Sequence, residues 1–114
     1  MSKFMIVASY TAAGLKGLQK DKAAGREAAV SRALESVGGK LEAMYYALGD
    51  HDVVVIADLP NIISVAGFAL VVSAAGFART QTTALLTVEE MDQAMKIRAE
   101  YRPPGAAPVP MVQF

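Results

Sequence analysis

The apolar positions along this chain recur with two different periods, and the switches between them mark out its elements. Residues 3–10 (Lys-Phe-Met-Ile-Val-Ala-Ser-Tyr) are dense in β-branched and aromatic side chains and run into Thr11 and Gly14, which predicts a strand followed by a loop. Over 28–37, Ala29, Val30, Ala33, Leu34 and Val37 fall at helical spacing with Arg26, Glu27, Arg32 and Glu35 opposite, and Gly38 and Gly39 end the pattern. Residues 40–48 and 52–59 read as two strands joined by Gly49, Asp50 and His51, a connection of hairpin length, and Pro60 closes the second. Asn61 is placed to cap a helix over 62–75 that carries no charged residue. Over 77–86, Arg79, Gln81 and Thr83 alternate with Thr80, Thr82 and Ala84, the period of a fourth strand. Thr87, Val88, Glu89 and Glu90 then spell a capping box, opening a helix to about residue 100 with Met91, Ala94, Met95 and Arg98 along one face.

The order βαββαβ plus a C-terminal helix predicts an α+β domain of the ferredoxin-like kind, a four-stranded antiparallel sheet with two helices on one face. Its second face then needs a cover. In the hairpin strands both alternating sets are apolar: Leu41, Ala43, Tyr45 and Ala47 against Met44, Tyr46 and Leu48, then Val53, Val55 and Ala57 against Val54 and Ile56. One set packs on the helices, and a second copy stacked sheet to sheet is the simplest cover for the other. The helix over 62–75, apolar on every side, is likewise expected to be covered on every side.

Composition sharpens this. A chain of 114 residues is one domain, and 54% apolar against 19% charged residues is a surplus that one small monomer buries with difficulty, so the partner expected is the chain itself, as a homodimer or higher oligomer. Eleven Lys and Arg balance eleven Asp and Glu, which gives no overall pull toward nucleic acid or an anionic membrane. The absence of cysteine removes disulfides, thiolate metal sites and a cysteine nucleophile, and fits a reducing compartment, with the cytoplasm the expected location. The N-terminus does not read as a signal peptide, and the long apolar stretch 62–78, broken by serine and glycine, reads as a buried helix rather than a membrane span. Residues 1–100 form the expected domain. Residues 101–114 form a proline-rich arm, holding four of the five prolines and ending on Val109, Met111, Val112 and Phe114, which is either a solvated tail or a strap across a neighbouring subunit. The bulky apolar end favours the strap.

From about residue 3 to residue 95 the chain resembles the GYD family of small bacterial proteins, within the dimeric α+β barrel group. The resemblance is carried by Thr11, Gly14 and Leu15 after the first strand, by Gly38, Gly39, Lys40 and Leu41, by the Tyr45-to-Gly49 approach to the hairpin, by Asp52 with 53–56, and by Arg79, Thr80, Gln81 and Thr82. At the position of the tyrosine that names the family, this chain has His51, between Gly49 and Asp52. The resemblance implies the dimeric barrel arrangement of the ferredoxin-like fold. It implies no single activity, because folds of this class host monooxygenases, decarboxylases, dehydratases and non-catalytic binders.

Few residues offer chemistry. His51, the only histidine, is a candidate acid or base with Asp50 or Asp52 orienting its ring, although its place between Gly49 and Asp52 favours an exposed turn residue. The catalytic candidates are therefore His51 and Asp52. Tyr45 and Tyr46 fall on opposite faces of one strand, and Tyr10 ends another; with Thr11 and the pair Thr80 and Thr82 they are the candidate ligand-binding groups of a pocket between sheet and helices. Lys16, Lys20, Lys22 and Arg26 read as a solvated loop, since no glycine-rich phosphate fingerprint accompanies them. Motifs for nucleophilic, zinc-hydrolytic and nicotinamide chemistry are missing, so neither cofactor nor metal is expected. The leading expectation is a cytosolic homo-oligomer that binds a small apolar or aromatic molecule; as an enzyme it would carry out cofactor-independent oxygenation or proton transfer, with His51 or a tyrosine as acid/base. The rivals are a structural or regulatory module whose apolar surplus is all interface, and an assembly or shell component using the helix over 62–75.

Overall fold

A computed structural model describes residues 1–105 of the chain. Its elements are β1 (Ser2–Tyr10), α1 (Ala12–Ser36), β2 (Lys40–Tyr46), β3 (Val53–Leu59), α2 (Ile62–Ala74), β4 (Ala78–Leu85) and α3 (Val88–Met95). The strands form one antiparallel sheet in the order β2-β3-β1-β4, the ferredoxin-like α+β arrangement expected from the periodicity. Most of the proline-rich arm lies outside the described residues.

Strand period two separates the faces. Phe4 and Ile6 of β1, opposite Ala57 and Val55 of β3, point to the helices, and with Val53, Leu59, Leu34 of α1 and Val65 and Phe68 of α2 they make the buried core. Burying each of the larger side chains contributes about 1.5–3 kcal/mol. On the other face lie Met5 opposite Ile56 and Val7 opposite Val54, flanked by Lys3, which is ion-paired to Glu42 and to Asp58 (3.1 Å). Lys3 has its pKa raised above the ordinary 10.5 by the hydrogen bond to Glu42, then by that to Asp58. A register shift between Leu41 and Ala43 in β2 corrects the simple alternation: Leu41 pairs with Ala57 and joins Met44 and Tyr46 on the helix side, while Ala43 and Tyr45 lie on the outer face.

The largest difference from the sequence reading is α1, which begins at Ala12, where a loop was expected up to residue 28. Thr11 caps it, its hydroxyl accepting from Gly14 N (3.2 Å), and Thr11 N donates to Phe77 O (3.0 Å). Gly14 is required there because a Cβ would collide with the Phe77 carbonyl oxygen. Three glycines, Gly14, Gly17 and Gly25, each weaken a helix by about 1 kcal/mol relative to alanine and hide it from a propensity reading. The helix is not continuous either: Lys22, at φ 68° and ψ 162°, is a kink joining two helical segments.

Helix α2 follows its expected cap, with Asn61 Oδ1 accepting from Ser64 N (2.9 Å). Its coverage within the chain is one-sided, with Val65 and Phe68 buried while Ile62, Ile63, Leu70 and Val71 stay exposed. Helix α3 has the predicted capping box between Thr87 and Glu90 but ends at Met95 rather than near 100, and buries none of its residues. A helix without tertiary packing is short because propagation alone is barely favourable.

Candidate functional site

The helix side of the sheet is not filled to its end. Where β1 ends and β4 begins, Tyr10 lies opposite Ala78 and Ala8 opposite Thr80, and the small side chains of Ala8, Ala78 and Thr80 leave space beneath the helices that Phe4 and Ile6 fill further along β1. The result is a cavity of about 110 Å³, floored by Ile6, Ala8 and Val55, roofed by Val30 of α1 and by Phe68 and Val72 of α2, with Tyr10, Thr80 and Arg26 as its polar groups. A neighbouring cavity of about 210 Å³ opens under the first segment of α1, lined by Gly14, Gly17, Leu18, Phe77 and Asp21, and shares Tyr10 and Arg26 with the first. Tyr10 and Arg26 thus stand at the junction of an inner apolar space and an outer mouth.

The kink organises the mouth. In a straight helix, residues five apart point about 140° away from each other, so Asp21 and Arg26 would face different ways. With the chain turned at Lys22 they line one cavity, and Arg26 Nη1 lies 3.6 Å from Asp21 Oδ2. Tyr46 reaches the same region from β2, its hydroxyl donating to Ala23 O (3.4 Å). Burial first, and then Tyr10 nearby, push the Tyr46 phenol above its ordinary pKa of 10.0, with Arg26 acting in the opposite direction. Tyr46 is therefore a protonated donor at neutral pH.

Of the residues singled out in the sequence, Tyr10, Tyr46 and Thr80 come together here. Thr82, two residues on along the same face, instead lines a separate groove of about 250 Å³ between β4 and α2, beside Ile62 and Ala66. Thr11 is occupied by structure: besides capping α1, its hydroxyl lies 3.1 Å from Gly76 O and 3.3 Å from Phe77 O, tying the start of α1 to the turn before β4. Tyr45 lies on the outer face opposite Val54 and is 66% exposed. Asp52 extends the β1–β3 ladder, accepting from Tyr10 N at Oδ2 (2.7 Å) while its own N–H donates to Ala8 O (2.9 Å) and its carbonyl accepts from Ala47 N (2.8 Å). His51 Nδ1 lies 3.2 Å from the hydroxyl of Ser9, an outer-face residue whose hydroxyl also lies 3.2 Å from Asp50 O. His51 therefore sits apart from the tyrosines, its imidazole turned to the rim of the opposite face, while the Asp52 carboxylate is taken up by the Tyr10 backbone amide.

The sequence reading left Arg26 among solvated lysines and did not bring in Asp21, Phe68 or Phe77. A signal for Arg26 existed: it lies one turn before Val30, in line with the inward stripe through Leu34 and Val37. The kink that recruits Asp21 has no local signature, since lysine is not a residue expected at positive φ.

Among the described residues no group of three or more His, Asp or Glu side chains is placed to hold a metal ion, and no helix is long and apolar enough to cross a membrane. A comparison with known families finds the GYD domain over residues 4–95. No curated protein and no solved structure matches the chain.

Proposed function

This chain belongs to the GYD domain family, and on that premise we propose that it is a homo-oligomeric binding domain which holds a small apolar or aromatic molecule between its sheet and helices. The observation that carries the reading is the inner cavity, apolar on floor and roof and ending at the polar junction of Tyr10, Thr80 and Arg26. An apolar space with a few convergent polar groups is what small-molecule sites look like. For proton transfer on such a ligand, the group lining the cavity is the phenol of Tyr10, with Tyr46 beside it, since the histidine's partner Ser9 points to the other face. Self-association, in the sheet-to-sheet manner of a dimeric α+β barrel, is supported by the outer cluster of Met5, Val7, Val54 and Ile56, which no element among the described residues covers. A cytoplasmic location agrees with the lack of cysteine.

One observation favours a second reading, a non-catalytic assembly module: the exposed flank of α2 presents Ile62, Ile63, Leu70 and Val71 with no charge among them. Native mass spectrometry of the freshly purified protein separates the two. A defined small oligomer carrying an extra small mass is the expected result. A ligand-free particle of many subunits supports the assembly module, and a stable monomer at micromolar concentration removes the oligomer from both.

A further inference from the structure

Four features meet at the mouth of the inner cavity. Arg26 is, among the described residues, the one cation that lines both spaces, and it is only partly exposed, at 34% of its side chain. Among the described residues its ion-pair partner at the mouth is Asp21, held at 3.6 Å, longer than the 2.7–2.9 Å of a good charge-assisted hydrogen bond, so the guanidinium fork keeps donors to give. Tyr10 borders both spaces and Tyr46 approaches as a protonated phenol. The segment that sets this arrangement passes through Lys22 at φ 68° and ψ 162°, a region that is costly for any residue but glycine, by about 1–3 kcal/mol, and such cost is concentrated at ligand clamps.

Behind the mouth the space is small and mostly apolar, with Thr80 as a polar group on its sheet side. At about 110 Å³ it is of the order of the roughly 150 Å³ cavity that admits one benzene ring. Taking this cavity as the ligand site, on which the present step rests, we propose that its ligand is a small aryl or short-chain alkyl monocarboxylate. The apolar end lies between Val30, Val55 and Phe68, and the carboxylate takes the Arg26 guanidinium. A dianion such as a phosphate ester fits less well, because a single arginine shared with Asp21 leaves less than one full positive charge to answer it.

The test uses the full-length protein and two probes of nearly equal shape, phenylacetate and the neutral phenylacetamide, titrated by amide-resolved NMR. Phenylacetate is expected to bind about tenfold or more tightly than phenylacetamide. Arg26→Gln should bring the two within about twofold without weakening phenylacetamide, whereas Lys16→Gln, which alters an exposed lysine of the same helix, should leave the ratio unchanged. Equal binding of both probes to the native protein overturns the carboxylate assignment while leaving the cavity reading intact; binding of neither probe overturns both. Inorganic phosphate displacing phenylacetate at equal concentration also overturns the assignment. Should Arg26→Gln not fold, Asp21→Asn decides: by releasing the guanidinium it should tighten phenylacetate by about threefold or more and leave phenylacetamide unchanged, and no tightening counts against the proposal.

Discussion

The two faces of the sheet are nearly matched in composition and opposite in fate. On the inner face Phe4, Ile6, Val53 and Val55 are at most 5% exposed under two helices. On the outer face Met5, Val7, Val54 and Ile56 occupy the alternate positions of the same two central strands, half-buried by one another, by their neighbours on β2 and β4, and by the Lys3, Glu42 and Asp58 ion cluster. Apolar character therefore says that a face wants a cover, and topology says whether the chain has one to give. Both crossover helices pack on one side, and α3, the only remaining helix among the described residues, buries none of its own.

The sharpest way to break this comparison is to truncate neighbouring residues of β1. Ile6→Ala should cost about 2–5 kcal/mol in urea unfolding, as a fully buried deletion does. Val7→Ala, one position on, should cost less than about 1 kcal/mol when measured at dilution, and equal costs at the two positions would mean that the outer face is already packed within one chain. Next in size is an assembly effect: Ile56→Glu places a charge at the centre of the outer cluster and should convert the proposed oligomer to monomer in light scattering while leaving the far-ultraviolet circular dichroism unchanged. An unaltered mass would remove the outer face as the contact. On the roof of the inner face, Lys22→Gly relieves the positive-φ lysine and should stabilise the fold by about 1 kcal/mol in the same denaturation assay; a destabilised variant would show that the kink is not strained.

The smallest effect belongs to the outer rim. Because Lys3 has a raised pKa in the folded chain, its stabilising contribution is complete below the unfolded lysine value of 10.5 and is lost as pH rises through the higher folded value. The difference in melting temperature between the native chain and Lys3→Met should accordingly be constant from pH 7 to 9 and shrink only above about pH 10.5. A difference that changes below pH 9 would point to another group.

The strands were legible because their signal is local: alternation in 77–86 correctly put Thr80, Thr82 and Ala84 on one face, and the Asn61 and Thr87 caps announced their helices. The bulge at Glu42 was not, since an extra residue changes the face of Leu41 without changing any composition. The first half of α1 was hidden by Gly14, whose reason for being glycine is a carbonyl sixty-three residues away at Phe77. The site suffered most from this. Tyr10, Tyr46 and Thr80 were visible as polar groups on strands, but their grouping with Arg26 and Asp21 depends on a kink that only the folded chain displays. His51 and Asp52 drew attention by chemical type, whereas the Asp52 carboxylate is engaged by the Tyr10 amide.

Strand β1 is at once the first element of the chain and one of the two central strands of the sheet, pairing with β3 through Leu59 and with β4 through Leu85. During synthesis it leaves the ribosome with both its edges bare. Leu85 is made 75 residues after Tyr10, so at about 5–20 residues per second β1 waits roughly 4–15 s for its second neighbour. Sheet closure thus waits on β4, and the run from Phe4 to Val7 is the segment of the nascent chain that most needs to be shielded from other copies of itself.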